Sequence, residues 1–410
     1  MSHFSDPASS EAPSGVLPTS FPWLILAGFI AGIAMSLPLW LSRRHFPMVP
    51  CFDWLPRFPA PWDAVVLCLA VLPLFPALWR AKWARLAWVS LGAFLLLALQ
   101  DQVRWQPWVY QYFLALAVWF ALHRRQPEAH AAMQRLMIVA IYLWSGLHKL
   151  GPGFRHLHEE AFVKPMHGKL PEFLVEALAF AGPLVPWIEV ALAISLLVPA
   201  LRKASVAGIL LMHGYIVWSL VWVLALPNTV VLPWNVCMMV LVPLLFWRKH
   251  RIGWPSLATG PALPLAAALA FLLAVAPVLS LWEKWDRYLA FHLYSGKERR
   301  MVMVADRQAF DRLPPHLQAA CKTSVVDPNM HELHFLEWCL RDNNVPVPSE
   351  PRILLAVARH LAAQPLPPEA HVRFYTDYHF LLNELGWDMW SRAEISAMET
   401  IPPLRQRYRP

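Results

Sequence analysis

Residues 260–281 read GPALPLAAALAFLLAVAPVLSL, a run with no acid, base or histidine. A stretch of this length and character is a transmembrane helix candidate rather than a buried helix of a soluble core. Directly after it comes Trp282-Glu-Lys-Trp285-Asp286-Arg-Tyr288, and the composition changes. Residues 282–410 hold 16 acids and 16 bases out of totals of 27 and 35, which leaves 11 acids and 19 bases for residues 1–281. The whole net charge of +8 therefore belongs to the apolar part. Basic loops between apolar runs have a membrane explanation, and a net-neutral tail argues against nucleic acid as a partner. With 57% hydrophobic and 15% charged residues and a mean hydropathy of +0.40, the chain is not a soluble enzyme.

Upstream, further apolar runs lie at about 21–42, 64–79, 86–100, 109–123, 132–150, 172–199, 204–226 and 229–247. The expected fold is an all-α polytopic bundle of about nine spans over 21–281, followed by a small α/β extramembrane domain over 282–410. Residues 1–20 are polar and Ser/Pro-rich, lack a basic leader, and read as a disordered tail. In the first span Gly28 and Gly32 form a small-xxx-small face for close helix packing. Arg80-Ala-Lys82-Trp-Ala-Arg85, Arg124-Arg125, Arg202-Lys203 and Arg248-Lys249-His-Arg251 fall on alternate connections. This places the N-terminus in the cytoplasm and the tail outside, with Arg43-Arg44 as an exception. In the tail, Met301-Val-Met-Val-Ala and Val372-Arg-Phe-Tyr-Thr have strand composition, and 306–322, 330–342 and 349–363 read as helices. Cys321 and Cys339 are a candidate disulfide pair if the compartment is oxidising. GxGxxG, P-loop, HExxH and GxSxG motifs are absent, and no Cys/His spacing suggests a metal site.

Several polar residues map to one outer end of the bundle: Asp101, Arg104, Gln106, His148, Lys149, Asn228, Asn235, Asp286 and His292. Ionisable groups at membrane depth are costly and are functional candidates by default. The structural alternatives are an interfacial Asp101–Arg104 pair and a snorkelling Lys149. Glu189 and His213 each lie about ten residues from the Arg202-Lys203 turn, so a rise of ~1.5 Å per residue puts them at similar depth. They form either a proton-sharing pair or an interhelical hydrogen bond. The aromatic spacing over 282–296 suggests an amphipathic interfacial helix, either a belt or a lid through which Asp286 or His292 reaches the outer cluster.

Ile141-Tyr142-Leu-Trp-Ser145-Gly146-Leu147-His148-Lys149-Leu150 resembles the Tyr-x-x-x-Gly-x-x-Lys-Leu signature of the HTTM (horizontally transferred transmembrane) domain, which is related to vitamin K-dependent γ-carboxylase. Asp101 before the aromatic helix start Trp105-Gln-Pro-Trp108-Val-Tyr110 is similar to a carboxylase segment. Glu189 and His213 on successive spans are similar to HTTM and to the more distant DoxX-like proteins. The resemblance covers about 95–250. It implies an external C-terminal domain, a quinone (menaquinone- or ubiquinone-like) or other isoprenoid-like ligand, and Lys149 as a base. A lysine acts as a base only uncharged, and burial at the edge of an apolar bundle favours that form. Asp101, Arg104 and His148 complete the catalytic candidates, with Asp101 and Arg104 orienting the ligand or holding Lys149. Tyr142, Trp108, Asn235, Asp286 and His292 are candidate ligand contacts.

The chain departs from the carboxylase at Gln106-Pro107-Trp108, where that family has Asn-Asn-His-Ser-Tyr. Its smaller tail also argues against carboxylation of protein glutamates. The expected protein is thus a bacterial inner-membrane protein that binds a quinone or isoprenoid-like lipid; whether it is an enzyme is left open, and if it is one, the chemistry is quinone-linked redox or proton abstraction with oxygen or CO2 as co-substrates to test. The alternatives are a non-catalytic anchor that contacts a protein partner through its tail and, ranked last, a proton-coupled transporter.

Overall fold

The computed structural model describes residues 17–222, 228–248, 254–325, 327–366, 370–379, 385–401 and 406–408. Residues 1–16, most of the segment expected to be disordered, and 249–251 of the last basic loop lie outside the described residues. Every one of the expected apolar runs is helical: α1 Phe21–Met35, α2 Trp62–Trp79, α3 Leu86–Gln100, α4 Pro107–Leu122, α5 Pro127–Lys149, α6 Glu172–Ser195, α7 Arg202–Trp222, α8 Val231–Phe246 and α9 Ala262–Trp282. Pro22, Pro107 and Pro127 sit in first turns, where a missing N–H costs no helix hydrogen bond.

Only four of these helices, α2, α6, α7 and α9, are long and apolar enough to cross a membrane by themselves. They present exposed Trp79, Phe180, Trp187, Leu211 and Trp222. The 15- and 16-residue α1, α3, α4 and α8 fall short of the ~20 residues a span needs. The 23-residue α5 is long enough but carries His130, Gln134, Arg135, His148 and Lys149. The expectation of nine spans is therefore not met: among the described residues the apolar runs form helices, but four of them have the length and hydropathy of a span. Burial explains the difference. The α4 and α5 helices are enclosed by their neighbours along most of their length, so they need neither the length nor the uniform apolarity of a lipid-facing helix.

The glycine face of α1 packs as its spacing suggests. A Cβ on Gly32 would lie 2.5 Å from the Trp108 ring, and one on Gly28 2.6 Å from Tyr112 Oη. The exceptional Arg43-Arg44 is also accounted for. Arg44 Nη2 meets Asp101 Oδ2 at 2.5 Å, and the same guanidinium donates to the carbonyls of Leu39, Phe46 and Pro47. This arginine braces a loop inside the protein and says nothing about sidedness.

The tail is built on a six-stranded antiparallel sheet, with β1 Arg300–Asp306, β2 Lys322–Thr323, β3 Met330–His334, β4 Val372–His379, β5 Leu385–Ser391 and β6 Gln406–Tyr408 in the order β2-β3-β1-β4-β5-β6. Strands β1 and β4 lie where expected. The first half of the helix expected over 330–342 is instead β3, with buried His331 and Leu333 alternating against half-buried Met330, Glu332 and His334. The helix proper is α10, Phe335–Asn343. The helix expected over 306–322 breaks at Pro314-Pro315 into Arg307–Arg312 and Pro315–Gln318. The helix expected over 349–363 forms as α11, Pro351–Ala362.

Both tail cysteines are free thiols, so the candidate Cys321–Cys339 bridge is not formed. Burial pushes the Cys339 thiol up to about 12, and Asn343 Nδ2 donates to its Sγ at 3.6 Å. Nor is there an amphipathic helix over 282–296. The segment makes 3₁₀ turns at Ser280–Trp282 and Tyr288–Ala290, broken by left-handed Glu283, Phe291 and Tyr294.

The tail is fastened to the end of the bundle where α5 finishes. Gln106 Nε2 donates to Pro346 O at 3.0 Å, Asn344 Nδ2 to Met35 O at 2.9 Å, and Arg352 Nε to Gln102 Oε1 at 2.5 Å. Lys297 Nζ donates to Leu150 O, and the backbones of Gly153 and Gly296 approach so closely that neither position has room for a Cβ.

Candidate functional site

Tyr142, Ser145 and Lys149 recur at three- and four-residue spacing, so they share one face of α5. Gly146 lies on the surface that meets α6. A Cβ there would come within 2.8 Å of Val190 Cγ2 and 2.9 Å of Pro186 O, so glycine is what permits this approach. Glu189 projects from α6 beside that contact, and Lys149 Nζ donates to its Oε2 at 2.6 Å and to Ser145 Oγ at 2.7 Å. The two charged side chains keep 12% and 6% of their surface. A pair this dry holds together because each charge supplies what water no longer does.

One turn before Ser145, the Tyr142 hydroxyl meets His213 Nε2 at 2.6 Å. His213 Nδ1 meets Asn235 Oδ1 at 2.7 Å, and Asn235 Nδ2 donates to Val231 O at 2.7 Å. The Val231 carbonyl can only accept, so the Asn235 amide nitrogen faces it and the amide oxygen faces His213. Nδ1 of His213 must then carry the proton, and its bare Nε2 accepts from the Tyr142 hydroxyl. Three helices, α5, α7 and α8, thus build a hydrogen-bonded chain in which a proton leaving Tyr142 has an acceptor in place.

The sequence placed Glu189 and His213 at one depth, and both belong to this cluster. They are not each other's hydrogen-bond partners, however: Glu189 holds Lys149, and His213 stands between Tyr142 and Asn235. Asp101 and Arg104 do not hold Lys149. Asp101 Oδ2 meets Arg44 Nη2 at 2.5 Å and Arg104 Nε at 3.9 Å, so the Asp101–Arg104 pair read as the structural alternative is formed, and Arg104 also donates to the carbonyls of Leu39 at 2.9 Å, Leu97 at 2.7 Å and Trp40 at 3.1 Å. Both are braces of the α1–α3 corner. Asp286 is held by Arg352 Nη2 at 2.6 Å. Trp108 and His292 line a separate cavity of about 270 Å³ between bundle and tail. Ser145 and Arg44 were missed as partners. Ser145 is legible four residues before Lys149, but only the fold reveals what Arg44 meets. Among the described residues no group of three or more His, Cys, Asp or Glu side chains could hold a metal ion.

His148 turns to the other side of α5, where its ring centroid lies 4.6 Å from that of His292. Burial, with His148, Arg287 and Lys297 nearby, holds the His292 imidazole well below its usual 6.5. It is therefore neutral in the folded protein, whereas the unfolded chain takes up a proton below about pH 6.5. The stability it contributes is present above that value and is lost as pH falls through it. Limited proteolysis of the tail between pH 8 and pH 5 is expected to accelerate on the acid side, and His292→Asn to flatten that rise. A profile identical in the two proteins would assign the acid sensitivity elsewhere.

No protein-family model matches the chain, and neither a curated protein nor a solved structure matches it.

Proposed function

We propose that the chain is an integral membrane enzyme of the HTTM and vitamin K carboxylase-like class, acting on a quinone or isoprenoid-like lipid at the Lys149 end of its bundle. In this reading it sits in a bacterial inner membrane with the short helices completing a nine-helix crossing, the N-terminus cytoplasmic and the tail periplasmic. The observation that carries the reading is the Lys149–Glu189 pair with a free donor left over. Two of the three Lys149 N–H bonds go to Glu189 and Ser145, and the third has no partner among the described residues. An open N–H on a nearly dry side chain fits an oxygen acceptor such as a quinone carbonyl.

A bound quinone supplies a two-electron redox couple. The chain's own part is proton handling. Lys149 orients the ligand oxygen and, on passing its proton to Glu189 at 2.6 Å, becomes a neutral amine able to take one from substrate. The Tyr142 hydroxyl proton is committed to His213 Nε2, so toward a ligand Tyr142 offers its oxygen as an acceptor, and Asn235 fixes the His213 tautomer that would take the proton on. Lipid extraction and mass spectrometry of purified protein tests this. Wild type is expected to carry an enriched quinone or isoprenoid that the Lys149→Met/Glu189→Leu double variant, which strands neither charge, loses while remaining folded; bulk phospholipid alone in both would sink the proposal. A proton-coupled transporter is the second reading, favoured by the placing of Lys149, Glu189 and His213 on three adjacent helices. It expects uptake in proteoliposomes to follow a proton gradient and to stop in Glu189→Gln and His213→Gln.

A further inference from the structure

The cavity between bundle and tail contains three buried polar atoms that no protein group satisfies. Trp108 Nε1, Asn228 Oδ1 and Ser349 Oγ all lack hydrogen-bond partners among the described residues, and their side chains belong to residues that are 2%, 7% and 4% exposed. Each such atom, if left dry, has lost its water without gaining a partner. Three of them around one space is a cost that something in the cavity must offset.

The donor pattern is specific. Trp108 can only donate. Its benzo edge is pressed against Gly32 of α1, which turns the N–H edge away from that helix. The Asn228 amide nitrogen is committed to Tyr294 Oη at 2.7 Å, so its oxygen can only accept. Ser349 does either. The walls are aromatic, from Trp108, Trp234, Tyr288 and Tyr294. The charged groups of the lining are accounted for elsewhere. Glu298 Oε1 accepts from Ser295 N at 2.8 Å, Arg299 lies 3.8 Å from Glu283, and Glu337 pairs with Lys322 at 2.6 Å. Arg300 is exposed at the start of β1. With Glu298, Arg299 and Glu337 each beside a partner of their own, the unsatisfied pattern at Trp108, Asn228 and Ser349 is that of a neutral polar edge.

We infer that this cavity is a binding site for a small, uncharged, planar aromatic molecule whose polar edge both accepts a hydrogen bond from Trp108 and donates one to Asn228. At about 270 Å³ it lies just under the ~300 Å³ at which ligand pockets usually begin, so it takes one or two fused rings and not a lipid chain. It is a second site. Lys149 is not in its lining, and the inference stands whether or not a lipid binds at Lys149.

The probe is 2-naphthol, whose hydroxyl can accept and donate at once, against 2-methoxynaphthalene, which has the same ring and can only accept. Equilibrium dialysis uses the full chain in nanodiscs, with empty nanodiscs as the baseline for partitioning. The expected result is one saturable site per chain that binds 2-naphthol at least about tenfold tighter than the ether. Trp108→Phe, which keeps the ring and removes the N–H, should weaken both compounds. Asn228→Leu should weaken 2-naphthol about tenfold and abolish the difference between them. Ser349→Ala, a smaller change, should weaken 2-naphthol without disturbing the fold. The Lys149→Met/Glu189→Leu double variant, which strands neither charge, should still show the saturable site and so separates it from the lipid site. Uptake no greater than in empty nanodiscs, or saturable binding indifferent to all three cavity variants, would overturn the inference and leave the cavity to water.

Discussion

Glu189→Leu is expected to destabilise the protein more at neutral pH than Lys149→Met, and the two penalties should change with pH in opposite directions. Each substitution strands one member of a buried pair held at 2.6 Å. Removing one partner of such a pair typically costs about 3–5 kcal/mol, because the survivor is left charged in a dry place. Proton exchange sets a ceiling on that cost. A lysine of ordinary basicity is neutralised at pH 7 for about 4.6 kcal/mol, and a glutamate for about 3.7 kcal/mol. Above that ceiling it is cheaper to discard the charge. The Glu189→Leu penalty should therefore shrink by up to about 1.4 kcal/mol per unit as pH rises, and the Lys149→Met penalty by as much as pH falls. Thermal unfolding in detergent across pH 6 to 9 measures both. Parallel slopes would mean that the pair is wetter than its geometry implies.

Arg104 carries the second large effect, and it concerns the fold and not the chemistry. Its guanidinium is fully buried and donates to three carbonyls, those of Leu39 and Trp40 before the α2 segment and that of Leu97 in α3. Those carbonyls belong to chain turns whose helical hydrogen bonds have run out, so nothing else among the described residues is placed to satisfy them together. Arg104→Met strips the Leu97 and Trp40 carbonyls of this donor at about 1–3 kcal/mol each and leaves both Leu39 O and Asp101 to Arg44 alone. The summed loss, on the order of 3–5 kcal/mol, is comparable with the whole stability of many domains. Arg104→Lys should recover little, since an ammonium cannot reproduce a planar fork with donors spread across three directions. Yield of monodisperse protein and its unfolding midpoint are the readouts. An Arg104→Lys variant indistinguishable from wild type would show that the carbonyls find water.

Residue spacing and depth were legible in the sequence; rotation about each helix was not. Tyr142, Ser145 and Lys149 share a face because of helical periodicity alone, and the symmetric distances of Glu189 and His213 from one turn put both in the cluster. Depth does not say which way a side chain points. The approach of α6 at Gly146 turns Glu189 to Lys149, while α8 brings Asn235 to His213. Asp101 and Arg104 failed as site residues for a related reason. Helix-end charges serve caps and corners as readily as ligands, and only the position of Arg44 and of three distant carbonyls decides between them. In the tail, β3 was hidden because an alternating five-residue segment runs straight into an apolar helix, and two periodicities merged into one apparent helix. The extent of the helical part was legible from hydropathy, but not which helices have the length of a span, since enclosure by neighbours releases a helix such as α4 from the length a lone span requires.

The central claim is that the Lys149–Glu189 pair exists for chemistry. A purely structural pair can often be exchanged for apolar residues of similar volume with little loss. The decisive measurement is therefore lipid extraction and mass spectrometry on the Lys149→Met/Glu189→Leu double variant beside wild type, with unfolding midpoints recorded on the same samples. The account expects the double variant to be about as stable as wild type yet to carry only bulk phospholipid. A stable double variant that retains the lipid enriched by wild type would contradict it.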